Sequence, residues 1–296
     1  MNNRVVVILG PTASGKTDFS ITLAKKFGGE IISADSRQVY KGFDIGSGKI
    51  TKNQMQGVPH HLLDIANPRR KFTVAQFQKL ALKEIKGIQK RGNVPFLVGG
   101  TGFYIQSIVD GLVIPSIKPN WKLRKKLERK SVTELFETLK KLDPARAKHI
   151  DAKNPRRLIR AIEIAHENQI QPLKKNPQFD ALQIGIKKSP EELKKAIQKR
   201  LHKKIRGTIG EVKKLHRNGL SFKRLEEFGL EYRLVAQYIQ DKITHEEMLD
   251  KIQKESEQFT KRQMTWFKRD KRIQWINNYK EGEKLVKNYA QKNNRT

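Results

Sequence analysis

A glycine-rich octapeptide that directly follows a short apolar run is the feature that most limits how this chain can fold. Residues 5–9 read VVVIL, and GPTASGKT follows at residues 10–17. Gly10 and Gly15 allow the backbone N–H groups to wrap around an anion, Lys16 adds a positive charge, and Thr17 offers a hydroxyl ligand to Mg²⁺. The pattern predicts a phosphate-binding loop between a buried strand and a helix.

The rest of the N-terminal half repeats this alternation of strand and helix. EIISADS at residues 30–36 and VPFLVGGTG at residues 94–102 read as strands, while residues 16–29 and 72–92 have helical spacing of their apolar side chains. Strands that alternate with helices predict an α/β fold with a doubly wound parallel sheet.

After Pro115 only helical patterns are found until ALQIGIKK, residues 181–188, where a strand-like run returns. We therefore predict an α/β core formed by residues 1–116 and 183–296, interrupted by a helical insertion at residues 117–182. The box Ser189-Pro-Glu-Glu opens a further helix. Gly207 and Gly210 are candidate breaks in that helix.

The charge balance points to a polyanionic partner. The 62 Lys and Arg residues exceed the 30 Asp and Glu residues and leave a formal charge of +32. Such an excess repels itself in the folded state, so nucleic acid or ribosomes are the expected partners; a generally basic proteome is the alternative.

Composition also excludes several kinds of site and suggests a location. The chain has no cysteine, which rules out disulfides, thiolate zinc sites and a cysteine nucleophile. It shows neither an apolar run long enough for a bilayer nor a signal-peptide pattern. We expect no membrane association and a cytoplasmic monomer.

Polar groups follow the second and third predicted strands. Asp35 ends the second strand, where it is suited to act as a general base or to bind Mg²⁺ through water; a turn or cap aspartate is the alternative. Residues 99–102 read GGTG, which permits close backbone approach to a ligand and adds the hydroxyl of Thr101, unless they form a simple turn.

Taken together, these motifs resemble a known family. GPTASGKT, IISADSRQVYKGFDIG, PHHLLDI, PFLVGGTGFY, NPRRLIRAIEI and KRQMTWFKR follow one another as in the tRNA dimethylallyltransferases, also called isopentenyl-tRNA transferases. The resemblance runs from about residue 4 to residue 276 and implies a core like that of the P-loop NTPases.

The resemblance implies a prenyl transfer in which no phosphoryl group moves. The loop would hold the diphosphate of dimethylallyl diphosphate with Mg²⁺, and the acceptor would be the exocyclic amine of the adenosine 3′ of a tRNA anticodon. Asp35 would take the proton of the amine and Thr101 would orient it. The implied donor-binding residues are Gly10, Pro11, Thr12, Ala13, Ser14, Gly15, Lys16, Thr17 and Arg124, with Thr17 as the metal ligand.

The same resemblance implies contacts with the anticodon stem-loop. The adenosine must be flipped out of its stack, and Ser36, Arg37 and Gln38, beside Asp35 and Thr101, would receive it. Further tRNA contacts are implied for Arg156, Arg157, Leu158, Ile159, Arg160, Lys261, Arg262, Trp266, Lys268 and Arg269. The alternatives are a solvated helix face for the arginines and a core aromatic pair for Trp266 and Phe267.

One position departs from the family pattern. Relatives commonly carry glycine before Tyr-Arg, whereas this chain has FGLEYR with Glu231. A carboxylate repels RNA phosphates, so Tyr232 and Arg233 are not carried over as tRNA contacts.

Two other classes of protein share the phosphate loop. A small-molecule P-loop kinase would turn over ATP, and a non-catalytic RNA-binding ATPase switch would show RNA-stimulated hydrolysis. Neither accounts for both the charge and the helical insertion.

Overall fold

A computed structural model describes residues 3–115, 117, 119–167 and 174–291. Its centre is a six-stranded sheet in the order β3-β2-β4-β1-β5-β6, in which every pairing is parallel. The strands are β1 Arg4–Leu9, β2 Gly29–Ala34, β3 His60–His61, β4 Val94–Gly99, β5 Asp180–Ile186 and β6 Gln274–Ile276. The predicted parallel sheet is confirmed, and the strand-like run after the insertion pairs with β1.

Both faces of the sheet are covered, as the continuous apolar run of β1 predicts. Val5 and Val7 pack into one core cluster, and Val6 and Ile8 into a second on the opposite face. Helix α1, Lys16–Lys26, belongs to the second cluster, while α3, Val74–Lys90, and α4, Gly102–Val109, belong to the first. This is the doubly wound arrangement.

Local signals account for the helix on the first face. Thr73 caps α3 because its side chain accepts a hydrogen bond from the Gln76 backbone, and the Gln76 side chain returns the bond to the cap residue. Phe77, Ala81 and Ile85 then recur at four-residue spacing and are completely buried. A short helix, α2 Lys52–Met55, precedes it in the chain.

The C-terminal part of the core adds helices to the sheet. They are α9 Pro190–Arg217, α10 Phe222–Glu227, α11 Leu230–Ile239, α12 His245–Phe267 and α13 Tyr279–Gln291. The capping box of Ser189 and Glu192 is present at the start of α9. The suggested breaks at Gly207 and Gly210 are wrong, because α9 runs through both. Gly207 serves close packing instead: a Cβ there would lie 3.0 Å from Ile45 Cδ1.

The helical part of the chain forms a compact unit of its own, Asp110–Asn176. Its helices are α5 Trp121–Leu127, α6 Val132–Leu142, α7 Pro144–Ala147 and α8 Pro155–His166, around a core that includes Leu135, Leu139, Leu158 and Ile162. The insertion predicted at residues 117–182 contained Leu182, which lies inside β5. The sequence placed the junction too late because the first residues of β5 are polar or small, Asp180 and Ala181.

The two ends of this helical unit meet in a short stem. The backbone N–H of Asn176 donates to the carbonyl of Asp110 at 3.1 Å, and that of Val113 donates to the carbonyl of Lys174 at 2.9 Å. An isolated antiparallel bridge joins Leu112 to Lys175. The chain therefore leaves the unit beside the point where it came in.

Across the described ranges, the structure contains no helix with both the length and the apolar character needed to span a bilayer.

Candidate active site

The phosphate loop has the backbone conformation that its glycines predict. Gly10, Ala13 and Gly15 have φ angles of 153°, 61° and 87°. Helix α1 begins at Lys16, and its N-cap residue Gly15 makes no side-chain capping hydrogen bond. The N–H groups of the first turn are thus left for an anion at the positive end of the helix dipole.

Lys16 is enclosed by the loop that precedes it. Its ammonium donates to the Pro11 carbonyl and, at 3.4 Å, to Ser14 Oγ. Burial lowers the pKa of Lys16 to about 7, the nearby Asp35 carboxylate opposes that change, and the Arg200 guanidinium adds to it. A diphosphate bound here would supply the counter-charge that this lysine needs to stay protonated.

A cavity of about 390 Å³ opens in front of the loop. Residues 12–17 line one side, and Asp35, from the end of β2, lines it together with Gln38 and His60. Helix α9 contributes Arg200. The cavity therefore lies at the carboxyl ends of the strands, where open α/β sheets bind their ligands.

A second cavity of about 130 Å³ adjoins the first. Thr12, Asp35 and Arg200 line both cavities. Thr101 and Glu231 line only the second, whereas residues 13–17 line only the first. Asp35 consequently lies where a phosphate-binding space and a separate, smaller space meet.

Hydrogen bonds hold Asp35 and Thr101 in place. Asp35 Oδ1 accepts from the backbone N–H groups of Arg37 and Gln38 at 2.8 and 3.3 Å. Thr101 Oγ1 accepts from the Ser36 N–H at 3.0 Å. Because a hydroxyl that accepts keeps its own hydrogen, Thr101 remains able to donate to a ligand in the second cavity.

Ser36 and Arg37 line the second cavity, as expected of residues that receive a base, but Gln38 does not. Gln38 Oε1 accepts from Ser33 Oγ at 3.2 Å, and Gln38 Nε2 donates to the Gly48 carbonyl at 3.3 Å. Its side chain faces the first cavity. The assignment of Gln38 to the acceptor is corrected accordingly.

Two residues that sequence reasoning missed support the loop from outside. Gln263 is buried; its Oε1 accepts from the Thr12 N–H and its Nε2 donates to the Gly100 carbonyl, both at 2.9 Å. Arg200 donates to Thr12 Oγ1 and to the Ser47 carbonyl, both at 3.2 Å. Gln263 lies within the KRQMTWFKR motif, and Arg200 borders the buried face of α9, so position alone offered a signal for both.

The environment of Glu231 explains the departure noted in the sequence. Its carboxylate lies 3.9 Å from the ammonium of Lys204, whose pKa is lowered to about 8, mainly by burial. Tyr232 is buried and donates to Glu211 Oε1 at 2.7 Å while accepting from the Ser47 N–H. Tyr232 is thus a packing residue, and Arg233 is ion-paired with Glu255.

In the helical unit, most of the predicted RNA-binding arginines already have partners. Arg124 pairs with Glu163 through two hydrogen bonds of 2.7 and 2.6 Å, and Arg160 reaches the same carboxylate at 3.1 Å. Arg157 lies 3.5 Å from Asp151. The role of Arg124 at the diphosphate remains a prediction, and it requires release from Glu163.

Two residues of the same motif are corrected. Leu158 and Ile159 are 0% and 8% exposed and belong to the core of the helical unit, so their side chains are not available to tRNA. They occupy the buried face of α8, which alternates with the face that carries Arg156 and Arg157.

The C-terminal motif divides between surface and core. Lys261, Arg262, Lys268 and Arg269 are exposed. Phe267 is buried, and Trp266 packs against Gly102 and forms an edge contact with Phe103 at 6.3 Å. The packing alternative accounts for these two rings, while the four cations are accessible to a polyanion.

The cavity also offers oxygen ligands of the kind that Mg²⁺ prefers. Thr17 is exposed and lines the first cavity together with Asp35. The residues that the structure describes contain no group of three or more His, Cys, Asp or Glu side chains able to hold a metal. A Mg²⁺ ion here would need ligands from the substrate, as is usual where it binds phosphates, and the residues present fit that mode.

Comparison with known proteins agrees on one family. The model of the IPP transferase family matches residues 38–270. The chain is 42% identical over 284 residues to a tRNA dimethylallyltransferase of Anoxybacillus flavithermus, covering 93% of this chain and 91% of that protein.

Solved structures show the same similarity. A tRNA isopentenylpyrophosphate transferase from Bacillus halodurans matches with a TM-score of 0.73 and 35% identity, over 98% of this chain and 96% of that one. A eukaryotic dimethylallyltransferase acting on tRNA matches with a TM-score of 0.78 and 26% identity, over 98% of this chain and 78% of that one.

Proposed function

The chain belongs to the IPP transferase family, and on this premise we propose that it transfers a dimethylallyl group from dimethylallyl diphosphate to tRNA. The acceptor is the exocyclic amine of the adenosine 3′-adjacent to the anticodon, and diphosphate is released. The observation that carries the proposal is the position of Asp35, which lines both the phosphate-side cavity and the smaller cavity of Thr101.

The donor binds with its diphosphate on the loop. The N–H groups at the start of α1 and the ammonium of Lys16 take up negative charge as the bond between the allylic carbon and oxygen breaks. Arg200 lines the same cavity and adds a second cation. Mg²⁺, held by Thr17 and by Asp35 through water, supplies further charge neutralisation when bound.

The acceptor amine enters from the other side of Asp35. The new bond forms between the amine nitrogen and the allylic carbon, and the proton lost by the nitrogen goes to the Asp35 carboxylate. Thr101 donates a hydrogen bond that orients the base. Because the adenosine is stacked in the anticodon loop, it must be flipped before it reaches the second cavity.

The decisive experiment is mass spectrometry of nucleosides from tRNA incubated with the protein, Mg²⁺ and dimethylallyl diphosphate. We expect a dimethylallyl mass increment on adenosine and stoichiometric release of diphosphate. If adenosine gains no mass, and the protein instead hydrolyses ATP or phosphorylates a small molecule, the proposal is wrong and the kinase alternative takes its place.

A further inference from the structure

Helix α9 carries a line of exposed cations, which we term the α9 basic stripe. Its members are Lys195, Lys199, Lys203, Arg206, Lys213 and Arg217, and all are exposed. Their spacing of three, four or seven residues puts them on one side of the helix. From the first to the last the stripe is about 33 Å long, at 1.5 Å per residue.

The opposite side of α9 anchors the helix to the core. Its buried residues, among them Leu193, Ile197, Leu201 and Val212, follow the complementary spacing. The helix thus cannot rotate its cations inwards without exposing this apolar face, at a cost of about 25 cal/mol per Å². The α9 basic stripe is a fixed outer surface.

The charges of the stripe are not neutralised within the protein. Among the residues that the structure describes, none of the six cations lies within ion-pair distance of an acid. The acids of α9 itself are placed elsewhere: Glu191 and Glu192 are in the first turn, and Glu211 accepts hydrogen bonds from the backbone N–H groups of Asp44 and Ile45.

The same helix also reaches the candidate active site. Arg200, which lines both cavities, follows Lys199 directly, and Lys204, beside Glu231, follows Lys203. A polyanion that lies along the stripe therefore runs past the cavities on a rigid element, in a register set by the helix.

We propose that the α9 basic stripe binds the phosphate backbone of the tRNA acceptor and supplies more of the salt-dependent affinity than the arginines of α8. Two of those arginines, Arg157 and Arg160, are already paired with carboxylates. The inference rests on the proposed function, because it takes tRNA as the polyanion.

The test compares two triple variants that remove the same charge. Lys199, Lys203 and Arg206 are replaced by Gln in α9; in the control, Lys79, Lys83 and Lys86 are replaced by Gln on α3, where they are also exposed but line neither cavity. The affinity for an anticodon stem-loop RNA is measured over a range of salt concentrations, and circular dichroism and thermal melting confirm that both variants fold.

We expect the α9 variant to flatten the slope of log K against log salt by about two to three units, near 0.7–0.9 per phosphate contact, and the α3 variant to change it by less than about one unit. Binding of dimethylallyl diphosphate without RNA should remain within about twofold of wild type in both variants, since a general fall in affinity would indicate damage to the site.

Equal slopes for the two variants would overturn the inference, because the excess charge would then act without regard to place. A wild-type protein that binds the RNA with the expected slopes but adds no mass to adenosine would contradict the proposed transfer and leave the stripe as an RNA-binding surface. A wild-type protein that fails to bind the RNA even at low salt would overturn both.

Discussion

The active-site cavities and the helical unit contain the same kinds of charged residue but hold them differently. In the cavities, Lys16, Asp35 and Arg200 are fixed by hydrogen bonds to backbone groups and hydroxyls, which orient a charge without cancelling it. In the helical unit, Arg124 and Arg160 share the carboxylate of Glu163. An oriented charge can act on a ligand, whereas a paired charge has been spent on the fold.

The difference follows from burial. The Glu163 side chain is 1% exposed, and a carboxylate in that position needs cationic partners. Burial opposes its ionisation, but hydrogen bonds from Arg124 and Arg160 outweigh that effect and lower the pKa of Glu163. The conspicuous RRLIR motif therefore serves the core of the helical unit at two of its residues, Leu158 and Ile159, and an internal ion pair at Arg160.

The largest effect that would sharpen this comparison is expected at Asp35. The substitution Asp35→Asn keeps an oxygen to accept from the Arg37 and Gln38 N–H groups but removes the base. Both substrates should still bind, while the chemical step slows by about 10²–10⁴-fold. Single-turnover kinetics at saturating substrates measure it; an unchanged rate would remove Asp35 from the mechanism.

Loss of the loop cation should be the next largest effect. Lys16→Met removes the ammonium enclosed by the loop, and the affinity for dimethylallyl diphosphate should fall by about 10- to 100-fold, the worth of a hydrogen bond between charged groups. Isothermal titration with the donor and, separately, with RNA checks this. If RNA affinity falls and donor affinity does not, the assignment of the cavity to the donor is wrong.

The pH dependence of donor binding should follow from the same lysine. With its pKa lowered to about 7, Lys16 is protonated in the free protein below that pH and neutral above it. A bound diphosphate favours the ammonium, so binding takes up a proton above about pH 7, and affinity should fall by up to about tenfold per pH unit. Titrations of wild type and Lys16→Met between about pH 6 and 9 separate this from the donor's own ionisation; parallel profiles would contradict it.

The smallest effects should distinguish paired from unpaired arginines within α8. Arg156 is exposed and has no acidic partner in the described part of the chain, so Arg156→Gln should flatten the salt slope of RNA binding by about 0.7–0.9. Arg160→Gln should leave the slope nearly unchanged and lower the melting temperature, because it weakens the pair with Glu163. The reverse pattern would show that the ion pair opens on RNA.

Local patterns were enough to predict the sheet and the phosphate loop. The run of β1, the glycines of the loop and the capping box of α9 each specify backbone conformation over a few residues, and the structure confirms all three. The short strands β3 and β6 gave no such signal, since a run of two or three residues has no periodicity to detect.

Long-range partners were beyond the reach of the sequence. Thr12 and Gln263 are 251 residues apart, and Arg124 and Glu163 are 39 apart, so neither contact leaves a local pattern. This explains why Arg200 and Gln263 were missed and why the arginines of α8 were read as free. Conversely, Asp35 and Thr101 were found because strand ends in a parallel sheet share one edge.

The stem of the helical unit has a consequence for how such a chain can be altered. Because Asp110 and Asn176 are joined by a hydrogen bond, everything between them hangs from two adjacent points. A replacement of any length, from a tight turn to a different domain, begins and ends at the same place and adds little loop-closure entropy. The junction is therefore suited to exchange of whole modules, by recombination between genes or by design, with the sheet of the recipient left intact.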